Sequence, residues 1–350
     1  MAESGGGILE EARSPRADRA VDYQERALLR VSRTFALTIP QLPRRLRRVI
    51  GNAYLLCRIA DTIEDEPALS GPRKQKLLGE FAQAVAGRVP AGAFVARLGP
   101  MLSDATGPDE WDLAAHTGLL LDLTHGFRPA ERAAIERCIR IMTEGMAEFG
   151  GGAPGGLDTL RDLERYTYCV AGVVGEMITD LLCEHAPEIA ARRDRLRPLA
   201  ARFGCGLQLV NILKDFHADR RRGACWLPRA AFADGVDLSS PEVRRQAAFL
   251  EGQTRLVAVA LEHLEAALEY VLLIPPRDAG VRRFLLWTLG LAVLTLRRIR
   301  ANPRFANGDA VKVPGAQLWA AVAVTSAVAR WDAVLRWLFR VATAQLPRGM

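Results

Sequence analysis

The feature that most restricts this chain is a 3.6-residue apolar period that persists along nearly its whole length. No alternating run of β-branched residues is closed by hairpin dipeptides. The period predicts helices near 22–37, 44–64, 73–86, 110–123, 129–149, 158–184, 188–219, 228–233, 241–273, 279–300 and 315–344. The Gly/Pro clusters between them, GRVPAGA, LGPMLSDATGP and GGGAPGG, are too short to separate domains. With 350 residues and 49% hydrophobic content, one large all-α bundle with a sizeable core is expected.

One of these helices ends against electrostatic preference. CRIADTIEDEP, Cys57 to Pro67, places Asp61, Glu64, Asp65 and Glu66 behind the apolar run Ala53-Tyr54-Leu55-Leu56. The negative end of the helix dipole disfavours acids there. On a helix, Asp61, Glu64 and Asp65 share one face with neighbouring Cβ atoms about 5–6 Å apart, so they repel unless a cation sits among them. A solvated acidic helix end is the plain alternative. A second stretch, CGLQLVNILKDFHADRRRGACWLP (Cys205 to Pro228), has the same character. Helical spacing aligns Gln208, Asn211, Asp215 and Asp219 in one stripe between apolar flanks, as a shared ligand or a structural hydrogen-bond network requires.

Two carboxylate helices point to metal, and all-oxygen donors select Mg²⁺, whose sphere is completed by water and substrate phosphate. A di-iron centre needs Glu-x-x-His on paired helices, and none of the five histidines has Glu three residues earlier. His217 lies off the stripe and is read as a surface or supporting residue.

The net charge of +7 suits an anionic ligand or membrane surface. Only Lys74, Lys76, Lys214 and Lys312 among the 47 basic residues are lysines, and guanidinium is the group for bidentate phosphate contact. No basic stripe interleaved with aromatics appears, so nucleic acid is set aside as a partner. Six scattered cysteines without a CxxC pair indicate neither zinc nor disulfides and fit a reducing cytoplasm. The first 20 residues lack the basic start and apolar core of a signal peptide and read as a short disordered lead. Near the other end, the apolar run Leu318 to Ala329 is 12 residues, short of the roughly 20 that span a bilayer. Beyond it, Trp331, Leu335, Leu338 and Phe339 with Arg330, Arg336 and Arg340 form a basic amphipathic helix. Such a helix either packs on the bundle or rests peripherally on the inner face of the cytoplasmic membrane.

Five blocks in order, SRTFALTIPQLP, YLLCRIADTIEDE, IMTEGMAEF, YCVAGVVGEM and LQLVNILKDFHADRRRGACWLP, resemble the squalene and phytoene synthases, which join two prenyl diphosphates head to head. The likeness spans roughly residues 25–310 and, in its length beyond the second acidic helix, is closest to squalene synthases. It implies a single-domain isoprenoid-synthase-type bundle around a central cavity, covering 21–312, with the amphipathic segment at 313–350, as a monomer or weak oligomer.

The resemblance further implies two farnesyl diphosphates as substrates, Mg²⁺ held by Asp61, Glu64, Asp65, Asn211, Asp215 and Asp219, and NADPH as reductant. Asp61 and Asp215 would be central to catalysis, with Tyr166 or Tyr168 supplying a phenol, Tyr166 being preferred because its position matches a family Tyr. Ser32, Arg33, Phe35, Arg58, Gln208, Asn211 and Lys214 would contact substrate, and Lys312 the reductant. Gly172 and Gly175 either admit a prenyl tail or allow tight helix packing. Three departures stand out: Ala218 replaces a motif Glu, Cys169 replaces the Tyr before Val-Ala-Gly, and VKVPGA lacks the Arg of the usual basic cluster. Presqualene diphosphate, hydroxysqualene and phytoene are alternative products within the family. Its non-catalytic assembly factors lose acids that this chain keeps.

Overall fold

A computed structural model describes residues 15–150, 155–233, 235–240 and 242–348. The first fourteen residues of the expected lead, and 151–154 of the GGGAPGG cluster, lie outside the described residues; residues 15–20 already belong to the first helix. The described chain is helical, and its single β feature is an isolated parallel bridge between Leu157 and Pro228.

The helices are α1 (Pro15–Val31), α2 (Arg33–Thr38), α3 (Arg44–Asp65), α4 (Gly71–Val85), α5 (Ala91–Leu98), α6 (Pro108–Ala115), α7 (Thr117–His125) and α8 (Pro129–Phe149). They continue as α9 (Leu160–Thr167), α10 (Val173–His185), α11 (Pro187–Ala190), α12 (Arg193–Arg221), α13 (Ala247–Leu273), α14 (Ala279–Ala301), α15 (Gly315–Val328) and α16 (Asp332–Thr343). Local chemistry sets the boundaries that periodicity alone runs together. Ser32 leaves the helical region and its hydroxyl caps α2, accepting from the Phe35 amide at 3.0 Å, so the segment expected at 22–37 divides. Pro129 opens α8, and Gly150, at φ 59°, closes it in the left-handed conformation. Pro90, inside a cluster that reads as a loop, instead starts α5, which buries Phe94 and Leu98.

Helix α12 is central, packing against α9, α10, α13 and α14. Its crossing with the 168–175 region needs glycine: a Cβ on Gly175 or Gly204 would lie 2.2 or 2.1 Å from the backbone oxygen of Ala200 or Ala171. Gly172 is similarly closed by Cys205 and Ala201. These positions serve helix packing, which is one of the two expectations for Gly172 and Gly175. Between α9 and α10, Tyr168–Gly172 forms a π-helical turn, a widening often found at functional sites.

The segment expected as one helix over 315–344 folds back on itself as α15 and α16. Arg282, with no solvent exposure, holds this hairpin. It donates to the carbonyls of Ile274 and Ala329, which end α13 and α15, and pairs with Asp332 at 2.6 Å at the start of α16. One guanidinium thus satisfies terminal carbonyls of two helices and, through the Asp332 carboxylate, ties in the start of a third.

Candidate active site

The first acidic wall is built on α3. Phe35 rests on Tyr54 with ring centroids 4.5 Å apart, and the nearby Ser32 side chain opposes the rise that burial imposes on the Tyr54 phenol. One turn on, Arg58 reaches Asp61 at 3.2 Å and Glu110 of α6 at 3.4 Å. Arg33 is exposed at the start of α2. Burial raises Asp61 to about 6, with Asp65 adding to the effect and Arg58 opposing it. Glu64 is buried; desolvation and the charges of Asp61 and Asp65 hold its pKa well above the ordinary range, and its Oε1 has no hydrogen-bond partner.

The fourth acid has a different task. Glu66 is 1% exposed and accepts from the Ser103 and Ala68 amides and from the Ser103 and Thr106 hydroxyls. Burial alone would raise it; these donors outweigh burial and lower it to about 2. It ties the end of α3 to the loop before α6.

Helix α12 supplies the facing wall. Although this helix is central, Asn211 on it is exposed and Gln208, Lys214 and Asp215 are only half-buried. The stripe is open at Asn211, meets the 308–311 turn at Asp215 and is buried at Asp219. Lys214 pairs with Asp215 at 3.1 Å. Arg222 joins the walls: its guanidinium lies 2.7 Å from Asp219 and 3.4 Å from Asp65. Burial lifts Asp219 to about 6, with Asp215 and Asp65 pushing the same way against Arg222.

Tyr166, 3% exposed, stands behind both walls. Burial raises its pKa well above the ordinary phenol value, and Glu64, Asp61, Asp65 and Asp219 all add to the rise, so the phenol stays neutral. Its ring stacks on Trp226 at 3.8 Å and 7° and meets Phe149 edge-on at 5.4 Å. Tyr168 is turned to Glu176 at 3.4 Å, inside a network with Arg137 and Arg197. That corrects the expectation that either phenol serves: two residues along the helix, Tyr168 points elsewhere. Cys169 is no substitute at the acids, for it packs on Gly145 of α8, where a Cβ would lie 2.3 Å from that of Cys169. His217 contacts the carbonyl of Phe305 at 3.0 Å, the supporting place expected of it.

The donor set fits Mg²⁺. It is all oxygen, it includes the orphaned buried Oε1 of Glu64, and the mutual repulsion of Asp61, Asp65 and Asp219 is what a divalent cation relieves. Among the described residues no three acids, histidines or cysteines close on one point. Water and substrate oxygens are needed to complete an ion's sphere, as Mg²⁺ prefers.

Lys312 follows the turn Gly308–Val311, which lies beside α12: a Cβ on Gly308 would be 3.0 Å from Asp215. Arg244 fixes this segment, stacking over Phe305 at 3.9 Å and donating to the Pro303 carbonyl at 3.0 Å. Burial, with Arg220 adding, lowers Arg244 to about 9. Sequence reasoning missed Arg222, Trp226, Tyr54 and Arg244 as parts of this site. All but Arg244 sit inside the acidic motifs, where their identity gave no direction of pointing.

Two acidic helices facing each other across an opening in an all-α bundle define the prenyltransferase type of enzyme. The chain belongs to the squalene/phytoene synthase family, whose model matches residues 28–317. It is 29% identical over 297 residues to the squalene synthase ERG9 of Gibberella zeae, covering 81% of this chain and 61% of that protein. To the squalene synthase LSS of Botryococcus braunii it is 30% identical over 301 residues, covering 83% and 60%. The chain thus spans about three-fifths of the length of these relatives. In fold it is similar to the solved complex of TcSQS with BPH1237, with TM-score 0.75 and 22% identity over 94% of this chain and 92% of that one. A dehydrosqualene synthase is similar at TM-score 0.64 and 21% identity, over 89% and 96%.

Proposed function

We propose that this chain joins two farnesyl diphosphates to presqualene diphosphate and, with NADPH, reduces that intermediate to squalene. The observation that carries the reading is the placement of Asp61, Glu64 and Asp65 opposite Asp219, with Arg222 between and Tyr166 behind. Mg²⁺ bound there supplies Lewis-acid stabilisation of each departing diphosphate.

The chain's own groups do the rest. Arg58 and Lys214 flank the opening and meet phosphate oxygens, with Ser32, Phe35, Gln208 and Asn211 around them. The neutral Tyr166 phenol keeps its proton, and the stacked Tyr166–Trp226 pair offers an aromatic face to the allylic cation, excluding water that would trap it. The condensation would release one diphosphate and the reduction the other, and NADPH, if held at Lys312, would supply the hydride for the second. Lys312, exposed on the segment beside Asp215, is the residue proposed to meet the reductant. Exposed Trp331 and Trp337 and the arginines of the C-terminal hairpin support peripheral contact with the inner face of the cytoplasmic membrane, where a hydrocarbon product partitions.

Purified protein with farnesyl or geranylgeranyl diphosphate and Mg²⁺, with and without NADPH, tests the reading by mass spectrometry of products. Squalene with NADPH and presqualene diphosphate without it are expected. A hydroxylated triterpene in both reactions replaces the hydride step with water capture, for which Pro314 in place of the cluster's Arg is the favouring observation. Phytoene changes the substrate, and no product from either diphosphate overturns the reading.

A further inference from the structure

A second cavity lies away from the acids. Helices α13, α14, α15 and α16 enclose a groove of about 810 Å³, walled by Leu268, Leu289, Val293, Leu335, Leu338 and Phe339. Among the described residues its charged lining is Arg297, Arg298 and Arg300, with no acid. Arg297 and Arg300 are exposed, while Arg298 is half-buried with an Nε that has no hydrogen-bond partner. The wall on the hairpin side is unusual for a soluble bundle. Apolar α15 buries only Val322 fully, and Trp319, Val324, Trp331, Trp337 and Val341 are each 47–61% exposed.

An apolar tube rimmed by guanidinium matches an amphiphile with a long hydrocarbon chain and an anionic phosphate head. Exposed Trp319, near the start of α15 and so toward the arginine end, suits the headgroup level of a bilayer. We infer that this groove takes an acyl chain of an anionic membrane phospholipid, with its phosphate at Arg297 and Arg300. The hairpin is then a lipid-binding element, not merely a surface that adsorbs to charge. The inference stands on this groove alone and does not depend on the reaction proposed for the acidic site.

Position 290 gives a clean plug. Gly290 lines the groove and a Cβ there meets nothing within 4 Å, so Gly290→Leu fills the cavity without displacing the core. Full-length protein is titrated with monomeric dioctanoyl phosphatidylglycerol and followed by tryptophan fluorescence and calorimetry. Dioctanoyl phosphatidylcholine, inorganic phosphate and Mg²⁺-free farnesyl diphosphate are the comparison probes, and circular dichroism checks each variant's helices. Phosphatidylglycerol should bind, with a several-fold loss in Gly290→Leu, about fivefold loss for each of Arg297→Gln and Arg300→Gln, and little binding of inorganic phosphate. If Gly290→Leu does not fold, the two exposed arginine variants carry the test. Equal affinity for phosphatidylcholine, or unchanged binding in the folded variants, overturns the inference. Farnesyl diphosphate binding more tightly, and losing affinity in the same variants, makes the groove a prenyl site instead and also overturns it.

Discussion

Nη2 of Arg222 lies 2.7 Å from Oδ1 of Asp219, and the same guanidinium reaches Asp65 on the opposite helix at 3.4 Å. In the metal-free protein an arginine therefore holds together two acidic walls that would otherwise repel. Under the proposed reading it competes for the carboxylates that would hold Mg²⁺. Arg222→Ala should lower the melting temperature in EDTA and tighten Mg²⁺ binding a few-fold by calorimetry. The pair is half-exposed, so its contribution is about 1 kcal/mol or less. Unchanged Mg²⁺ affinity refutes the competition.

Asp61→Asn and Asp219→Asn should each abolish turnover yet stabilise the metal-free fold. Both acids are raised to about 6 by burial from an ordinary 3.8. The folded state therefore binds their protons more tightly than the unfolded chain. Their stabilising contribution is fully present below pH 4 and is lost as pH rises through 6. Melting scans in EDTA should show wild type losing stability across that window, and each Asn variant losing less. Asp215→Asn should also abolish turnover with helicity intact; wild-type rates in these variants refute the metal-site reading.

Glu66 should behave in the opposite sense to its neighbours. Its folded pKa, lowered to about 2 from 4.5, contributes stability that is present above pH 4.5 and is lost as pH falls toward 2. Glu66→Gln should cost roughly 2–3 kcal/mol in urea unfolding at pH 7, while leaving the calorimetric Mg²⁺ stoichiometry unchanged. A lost metal equivalent would make Glu66 a ligand.

Truncation before Leu318 removes Asp332 and the Ala329 carbonyl from Arg282, leaving a guanidinium that the hairpin had sealed from solvent with only the Ile274 and Leu272 carbonyls. A loss of about 3–5 kcal/mol is expected, seen as aggregation or a lowered melting temperature. Adding Arg282→Met to the truncated chain should recover part of it. A soluble, fully stable truncated protein would show that the hairpin's anchor contributes little.

Lys312→Ala should raise KM for NADPH several-fold and leave presqualene diphosphate formation without reductant unchanged, read by product analysis. Wild type should discriminate weakly between NADPH and NADH, because Pro314 stands where a guanidinium would meet phosphate.

The sequence by itself determined the all-α class, both acidic helices and the family, because helical period and the i, i+3, i+4 spacing of Asp61, Glu64 and Asp65 are local properties of the chain. The resemblance also favoured Tyr166 over Tyr168, because position 166 matches a family Tyr. Only tertiary structure decided what each side chain faces. Tyr166 looks onto four acids from two helices while Tyr168 meets Glu176. Glu66 belongs to a loop 37 residues away in sequence. Gly172 and Gly175 lie under the backbone of α12. The turn that folds α16 back over α14 is set by Arg282, which sits on α14 and holds Ala329 and Asp332, 47 and 50 residues further along the chain. Periodicity reports which residues share a face; what lies opposite that face is a property of the packed chain, fixed by contacts that sequence spacing does not encode.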